Sequence, residues 1–460
     1  MGNKKNAWLK FDNTKKEEIF SFCEGYKKYI SDCKTERESI KEAIYLAESK
    51  GYRDLKNVIS AGKSLKAGDK VYYNNMDKSL ALFLIGSESI ESGMRIIGSH
   101  VDSPRLDLKP NPLYEDSELS LMETHYYGGV KKYQWVTIPL ALHGVVVKKD
   151  GTKIDVVVGE EETDPVVMVS DLLVHLASEQ QQKKATEVIA GEDLNILVGS
   201  MPLEGEEKEA VKANILKLLK EKYDFEEEDF MSAEIEIVPA GKARDLGLDR
   251  SMVAGYGHDD RICAYTSLLA LLETESVKKT SVVLLVDKEE VGSIGATGMQ
   301  SRFFENAVAE LMDRVGEYSE LKLRRALANS KMLSSDVTAA FDPNYAGAYE
   351  KKNSAFFGKG LAFAKYTGAR GKSGCNDANA EFVAWLRNVM DENDVAYQMA
   401  ELGKVDQGGG GTIAYILAEY GMEVIDCGVA LQNMHAPWEV ASKVDIYETM
   451  RGYKAFLIAE

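Results

Sequence analysis

The sequence predicts an α/β protein with a mixed, largely parallel central sheet flanked by helices, and with a smaller β-rich domain inserted into it. Two patterns predict the sheet: short β-rich runs end in acidic or histidine residues, and helix-length amphipathic stretches lie between these runs. A change of pattern in the middle of the chain predicts the insertion. With 460 residues, of which 45% are hydrophobic, the chain can bury one large core or two moderate ones.

The elements follow in order along the chain. Residues 14–50 are predicted to be helical, because apolar residues recur among many Lys and Glu residues without a proline. Further helices are expected at residues 260–273 and 376–392. The β-rich runs that should form the sheet are residues 94–100, 281–290, 331–336 and 422–430.

The predicted domains are interleaved in the chain. Residues 1–110 and 245–460 are expected to form one discontinuous catalytic domain, and residues 111–244 the inserted domain. The inserted segment contains HGVVVKKDGTKIDVVVGEEE, in which Asp150-Gly151 is typical of a hairpin turn. We expect this β-rich insertion to serve dimerisation or assembly.

Composition restricts the partners and the compartment. Lys and Arg number 56 against 74 Asp and Glu, a formal net charge of −18 that repels phosphate backbones and anionic lipid surfaces. Neither nucleic acid nor a membrane is therefore an expected partner, and no apolar stretch approaches the roughly eighteen residues that a spanning helix needs. The five cysteines form no CxxC pair, which is typical of a reducing compartment, so the cytoplasm is expected.

Candidate metal ligands stand at the ends of the β-rich runs. His100 ends the first run, and Asp102 follows two positions later, so that the period of a strand places both side chains on one face. One of them can bind a metal ion while the other orients it. This motif alone is also typical of an ordinary His–Asp pair, so it needs support from other motifs.

Two further motifs carry more carboxylates than local structure explains. In GHDDR, capping of the following helix accounts for either Asp259 or Asp260 but not readily for both. In VVLLVDKEEVGS a buried run ends at Asp287, Glu289 and Glu290. Carboxylates at the mouth of a buried strand are unfavourable unless cations compensate them, although a surface turn is the alternative.

Asp336 and His435 follow two more β-rich runs. In open α/β sheets ligands bind beyond the carboxyl ends of the strands, so these side chains are expected to converge on one crevice. Two histidines and several carboxylates suit Zn²⁺ and also accommodate Mn²⁺ or Co²⁺. This is more than one tetrahedral ion needs, so two ions that share a bridging carboxylate and activate water for hydrolysis are predicted.

The same motifs resemble the aspartyl aminopeptidase family, metallopeptidase family eighteen, whose members are dinuclear zinc aminopeptidases. The resemblance runs from about Ile96 to the carboxyl terminus, and the motifs stand in the family's order. They are IGSHVDSP, SAEIEIVPAGKARDLGLDRSMVAGYGHDDR, DKEEVGS, SSDVTAAFDPNY and QNMHAPWEV.

The resemblance implies a role for each residue of the predicted site. Glu289 would be the general base, and Asp102 would support the first histidine and the metal-activated water. It also implies large homo-oligomers, often dodecamers, that act on short peptides. The implied metal ligands are His100 and Asp336 for one ion, His435 and Glu290 for the other, and Asp259 as the bridge.

Substrate preference follows the family less closely. Acid-preferring members resemble one another in carrying histidines where this chain has Ala339 and Asp342, so a preference for N-terminal Asp or Glu is not predicted. Lys365 matches a basic position that the family uses near the substrate side chain, although an isolated Lys is as typical of a solvated charge. His125, in METHYYGG, resembles a family position near the substrate.

Two other functions compete with this interpretation. A related dinuclear deacylase or carboxypeptidase would share the metal ligands, but a carboxypeptidase would need an Arg-lined pocket for a terminal carboxylate. A nucleotide-binding protein is disfavoured, because GARGKSG lacks the first glycine of the P-loop, where Tyr366 stands.

Overall fold

The computed structural model describes residues 5–368 and 370–460. The chain divides into two compact units. The first contains the residues up to Asp102 together with Ala243–Met434 and Glu439–Glu460, and the second contains Ser103–Lys242 and His435–Trp438.

The strands that the structure describes are numbered β1 to β21 in chain order. They are β1 (Arg53–Asp54), β2 (Lys70–Asn75), β3 (Ser79–Leu84), β4 (Arg95–His100), β5 (Arg105–Asp116), β6 (Leu119–Tyr127), β7 (Leu140–Val147), β8 (Lys153–Val158), β9 (Met168–Val169), β10 (Ile196–Gly199), β11 (Ala233–Pro239), β12 (Arg244–Leu246), β13 (Met252–Gly255), β14 (Ser281–Val286), β15 (Lys331–Ser335), β16 (Thr338–Ala339), β17 (Leu361–Ala364), β18 (Tyr397–Met399), β19 (Glu423–Gly428), β20 (Ala430–Gln432) and β21 (Glu439–Ser442).

The α-helices that the structure describes are numbered α1 to α10 in the same way. They are α1 (Asn13–Asp32), α2 (Glu36–Ser49), α3 (Leu55–Ser60), α4 (Ala210–Tyr223), α5 (His258–Leu272), α6 (Phe303–Val315), α7 (Glu320–Ala328), α8 (Ala380–Glu392), α9 (Ala414–Ala418) and α10 (Lys443–Ile458). None of them combines the length and the apolar character that crossing a bilayer requires.

The largest sheet of the first unit has the strand order β1-β2-β3-β14-β4-β15-β19-β17-β18. Its centre, from β14 through β4 and β15 to β19, is parallel, whereas β2, β3 and β17 introduce antiparallel pairs. The four β-rich runs of the sequence are these four central neighbours. The predicted mixed, largely parallel sheet is therefore confirmed.

Helices cover both faces of this sheet. Neighbouring residues of one strand, such as Ile96 and Ile97, belong to two different buried clusters. One cluster includes side chains of α2, α5, α8 and α10, and the other includes side chains of α3, α6, α7 and α9. Burial on both faces explains why the central strands are continuous apolar runs instead of alternating ones.

The N-terminal helical region is two helices instead of one. α1 ends at Asp32, and Thr35 begins α2 with a capping box, in which its hydroxyl accepts the Glu38 backbone N–H and the Glu38 side chain accepts the Thr35 N–H. The predicted helix at residues 376–392 begins later, at Ala380.

A second sheet of the first unit, with the order β12-β13-β21-β20-β16, was not predicted. Its strands are two to four residues long, which is too short for a periodic pattern. The predicted strand at residues 422–430 is accordingly split between β19 and β20.

The second unit contains a seven-stranded antiparallel sheet with the order β8-β7-β11-β5-β6-β10-β9. The hairpin predicted at Asp150-Gly151 joins β7 to β8, and Gly151 has a φ of +88°. A positive φ is readily available only to glycine, which explains the residue at this turn. Helix α4 also belongs to this unit.

Candidate metal centre

Three strands end at the same edge of the central sheet. His100 is the last residue of β4 and pairs with Val286, the last residue of β14. The residues after β14 therefore begin beside the histidine and turn into a short 3-10 helix, Glu289–Val291. Asp336 directly follows β15, which pairs with β4 on its other side.

The carboxylates gather around one imidazole nitrogen. His100 Nε2 lies 3.2 Å from Asp259 Oδ1, 3.8 Å from Glu289 Oε2 and 3.9 Å from Asp336 Oδ1. Two overlapping groups each offer three ligand atoms that lie within 4.8 Å of one another. These groups are His100, Asp260 and Asp336, and His100, Glu289 and Glu290.

Asp102 holds two parts of this cluster in place. His100 Nδ1 lies 3.0 Å from the Asp102 carbonyl oxygen and 3.3 Å from its carboxylate. A neutral ring that donates Nδ1–H to Asp102 would present the lone pair of Nε2 to a cation among the carboxylates. The carboxylate of Asp102 also accepts the backbone N–H groups of Glu289 and Glu290, at 3.1 and 3.2 Å. Its side chain is fully buried, and its role as the group that supports His100 stays a prediction.

The start of α5 positions the carboxylate that lies nearest to His100. Asp259 donates its backbone N–H to Glu439 Oε2 at 3.0 Å. Gly257, two residues earlier, has a φ of +74° and packs against the Arg261 side chain so closely that a Cβ there would overlap the guanidinium. Arg261 in turn donates to the carbonyl oxygen of Lys34 at 2.8 Å.

Asp336 is fixed by the end of a neighbouring strand. Its backbone N–H donates to the Cys427 carbonyl oxygen at 2.9 Å. The next residue, Gly428, approaches the Asp336 carbonyl oxygen so closely that a Cβ on the glycine would overlap it. The ends of β15 and β19 can therefore come together only with glycine at this position.

The electrostatics of the cluster call for added positive charge. Burial and the charges of Asp259, Glu289 and Asp426 raise the pKa of Asp336 well above its usual range, and burial with the charge of Asp336 does the same for Asp260. Burial disfavours the imidazolium of His100, yet its hydrogen bonds to Asp102 and Asp259 raise its pKa well above normal. A divalent cation would reverse this pattern and keep the carboxylates ionised.

The donor set therefore fits a divalent metal. It combines an imidazole nitrogen with several carboxylate oxygens, which suits Zn²⁺ and accommodates Mn²⁺ or Co²⁺. Glu289 and Asp336 are the more accessible members, with 15% and 13% of their side chains exposed. Solvent can therefore reach the cluster on the side of these two residues.

The other histidine of the predicted ligand set, His435, lies in the second unit. It has a φ of +64°, and its Nδ1 lies 3.0 Å from the Gly129 carbonyl oxygen. Donation from Nδ1–H to this oxygen leaves the lone pair of the neutral ring on Nε2, the nitrogen that a metal ion would use. Its role as a ligand of the second ion stays a prediction.

Lys365 and His125, which were predicted to lie near the substrate, contact other residues of this chain. Lys365, directly after β17, forms an ion pair with Asp377 at 2.6 Å. His125 is exposed on β6, and its Nδ1 lies 2.8 Å from the Tyr126 carbonyl oxygen. Their roles near a substrate stay predictions.

Sequence reasoning assigned no role to two residues of the site. Asp260 accepts the His100 backbone N–H at 3.3 Å, and the only signal for it was that helix capping could not explain both adjacent aspartates. Glu439, the acceptor for Asp259, stands 180 residues away. It begins a four-residue strand and stands in the motif QNMHAPWEV, four residues after His435, which is the signal that could have drawn attention to it.

Comparisons with known proteins show the family of this chain. Residues 29–457 match the family model described as aminopeptidase I zinc metalloprotease (M18). A probable M18 family aminopeptidase 1 of Clostridium acetobutylicum is 66% identical over 454 residues, which are 98% of this chain and 98% of that protein. The crystal structure of an M18 family aminopeptidase from Thermotoga maritima has a TM-score of 0.95 at 45% identity and covers 99% of each chain.

A more distant structure shares the fold. The mApe1 dodecamer of S. cerevisiae is 20% identical, with a TM-score of 0.77, and the match covers 95% of this chain and 96% of that chain. Together these matches confirm the predicted fold class and the predicted family resemblance.

Proposed function

Because this chain belongs to the M18 family of zinc metalloproteases, we propose that it is a metal-dependent aminopeptidase that removes N-terminal residues from peptides. The observation that carries the proposal is the buried cluster at the sheet edge, where His100 Nε2 faces Asp259, Glu289 and Asp336 within 3.9 Å. A hydrolase of this kind needs a cation and a nearby base. The cluster offers ligands for the cation and, in Glu289, a candidate for the base.

We propose two metal positions that share one carboxylate. His100 and Asp336 would hold one ion, and Asp259 would bridge the two. The second ion would use Glu290, and the family resemblance adds His435 to it. The short separations around His100 support the first position, and so does the Asp102 carbonyl oxygen, which can accept Nδ1–H and leave Nε2 to a metal ion. Zinc is the expected ion, and Mn²⁺ or Co²⁺ would fit the same donors.

Zinc ions bound there would lower the pKa of water toward neutrality and polarise the scissile carbonyl. Glu289 is the proposed general base: its Oε2 would take the proton of the attacking water and pass it to the leaving amine nitrogen. Its Oε2 lies 3.8 Å from His100 Nε2, beside the proposed ligands, and this position supports the role. Asp102 keeps the backbone of Glu289 and the ring of His100 in a fixed relation through its hydrogen bonds.

The requirements of the substrate terminus favour an aminopeptidase over a carboxypeptidase. An aminopeptidase needs acidic side chains for the substrate's N-terminal ammonium, which suits this carboxylate-rich site, whereas a carboxypeptidase needs an Arg-lined pocket for the terminal carboxylate. We do not propose a preference for acidic N-terminal residues, since Ala339 and Asp342 replace the histidines that such a preference implies.

The test is a panel of aminoacyl anilides with acidic, basic and apolar side chains, offered to chelated protein that has been reconstituted with Zn²⁺, Mn²⁺ or Co²⁺. Metal-dependent release of the anilide from one residue class is the expected result. If the whole panel stays intact while two metal ions are bound, the deacylase or carboxypeptidase alternative takes its place.

We also propose that the chain assembles into a homo-oligomer in the cytoplasm and acts on short peptides there. The dodecameric state of the S. cerevisiae structure supports assembly. The second unit, which we propose as an assembly domain, exposes several apolar side chains, among them Leu173, Val174 and Leu176 at 58%, 60% and 68%. All five cysteines are unbridged, which supports a reducing compartment.

A further inference from the structure

A turn of the first unit presents a leucine to solvent. The turn joins β12 to β13, and Leu248 at its tip is fully exposed. The Arg250 N–H donates to the Gly247 carbonyl oxygen at 3.0 Å, and both the N–H and the hydroxyl of Ser251 donate to Asp249 Oδ1, at 3.2 and 2.9 Å. These bonds order the turn, so the leucine projects from a defined backbone.

The base of the hairpin is anchored in the unit. Arg250 Nε donates to Asp245 Oδ2 at 2.7 Å. Asp245 Oδ1 forms two further ion pairs, with Lys27 Nζ of α1 at 2.7 Å and with Lys443 Nζ of α10 at 2.8 Å. Lys443 is fully buried. The position of the turn is therefore tied to two helices, and little further ordering is needed for it to dock on a partner.

An apolar cavity opens beside this turn. It has a volume of about 530 Å³, and Trp8, Phe20, Met252 and Phe357 line it together with Lys16. Asp249 and Ser251 of the turn also line it. The projecting leucine and the cavity therefore lie next to each other on one surface of the first unit.

Two further exposed apolar residues lie close to these features in the chain. Leu9, the neighbour of Trp8 in the chain, is 75% exposed, and Leu246 at the end of β12 is 37% exposed. Single exposed leucines are ordinary, but apolar residues grouped around a cavity are typical of protein contacts.

We propose that this face binds a second copy of the chain, with the Leu248 turn of one copy inserted into the cavity of the other. A projection and a cavity on the same surface make that surface complementary to itself, which is what contacts between identical subunits require. The charges are complementary too, because Asp249 beside the leucine can pair with Lys16 in the cavity of the other copy. A small apolar ligand would fill the cavity but would leave Leu248 in water.

This interface rests on the proposed homo-oligomer and names one of its contacts. The primary test is sedimentation velocity of the full-length protein and of Leu248→Lys. The variant places a cation against Lys16 of the other copy, so we expect its association to weaken about tenfold or more. Leu321→Lys is the matched control, since Leu321 is 56% exposed on α7 of the same unit and should leave assembly unchanged.

A charge reversal makes the test specific. Adding Lys16→Glu to Leu248→Lys pairs the new lysine with a carboxylate and should restore association toward the wild-type value. Unchanged assembly of Leu248→Lys, equal weakening by Leu321→Lys, or no recovery in the double variant would each overturn the interface. A wild-type protein that stays monomeric would overturn the proposed homo-oligomer as well, and peptidase activity is not a readout in any of these arms.

Cross-linking covers the case in which a charged variant fails to fold. Lys16→Cys in one preparation and Leu248→Cys in a second, differently tagged one, both with Cys375→Ser, are mixed and mildly oxidised. A disulfide between the two tagged chains is expected. The same yield with Leu321→Cys in place of Leu248→Cys, or no disulfide at all, would overturn the proposal.

Discussion

Two regions of the first unit bury charge in opposite ways. Asp245 forms ion pairs with Lys27, Arg250 and Lys443 at 2.7 to 2.8 Å. Burial alone would raise the pKa of its carboxyl, but these partners hold that pKa well below its usual range. Around His100 carboxylates outnumber cations, and the pKa values of Asp260 and Asp336 are raised. The first region is complete without a ligand, whereas the second has a deficit of positive charge that a metal ion would fill.

This contrast separates structural from functional charge. Both regions are rich in ionisable residues, so charge content alone does not distinguish them. The local balance of charge does distinguish them, because an unbalanced buried cluster is costly and is typical of a site where a ligand or a reaction uses it. Substitutions should therefore change activity or metal binding at one region and stability at the other.

The largest effect is expected from Glu289→Gln. The amide keeps the shape of the side chain but cannot accept the proton of water, so kcat should fall by about two to four orders of magnitude. Zinc content, measured by mass spectrometry of the native protein, should stay at the wild-type level. Glu17→Gln, on the exposed side of α1, is the control and should keep full activity. Near wild-type turnover of Glu289→Gln would contradict the general-base assignment.

Asp245→Asn should affect stability instead of chemistry. It leaves the fully buried Lys443 without its counter-charge, so the free energy of unfolding should fall by about 3–5 kcal/mol. Urea unfolding followed by fluorescence measures this loss. The double variant Asp245→Asn, Lys443→Met removes the unpaired charge and should recover part of it. A single variant as stable as the wild type would show that the two regions do not differ as described.

Asp102→Ala should weaken metal binding more moderately. It removes the carboxylate next to His100 and the acceptor for two backbone N–H groups, while every proposed ligand remains. Loss of such a supporting group typically lowers metal affinity by about 10- to 100-fold. Competition with a chromogenic chelator measures the zinc affinity directly. If this variant binds zinc as tightly as the wild type, contacts other than Asp102 orient His100.

The smallest effect concerns the dependence of stability on pH. The pKa of Asp245 is lower in the folded than in the unfolded protein, so its contribution is present above the unfolded value of about 3.9 and is lost as pH falls below it. Urea midpoints between about pH 5 and pH 3 should therefore decline less steeply for Asp245→Asn than for the wild type. Parallel declines would mean that Asp245 is not stabilised as an anion.

The sequence predicted the grouping of side chains around His100 better than it predicted the ion pairs of Asp245. The proposed ligands at the ends of β4, β14 and β15 follow apolar runs directly, and parallel strands bring their carboxyl ends to one edge. No such rule links Lys27, Asp245 and Lys443, because Asp245 lies 218 residues after Lys27 and 198 residues before Lys443, and none of the three stands in a local pattern that points to the others. The contact between Glu439 and Asp259 could not be predicted for the same reason, since the two residues are 180 positions apart in the sequence.

Short elements account for the rest of what sequence could not predict. The sheet of β12, β13, β21, β20 and β16 has strands of two to four residues, and such strands are stabilised by their neighbours more than by their own residues. The long central strands, in contrast, are specified by burial on both faces, which leaves a continuous apolar run in the sequence.

The hydrogen bonds of Asp102 also have a dynamic consequence. One side chain contacts the imidazole of His100 and the backbone of Glu289 and Glu290. A displacement of Asp102 therefore moves both groups in the same direction. We therefore expect their motions to be correlated, with the distance between the histidine and the proposed base varying less than the position of either group within the fold.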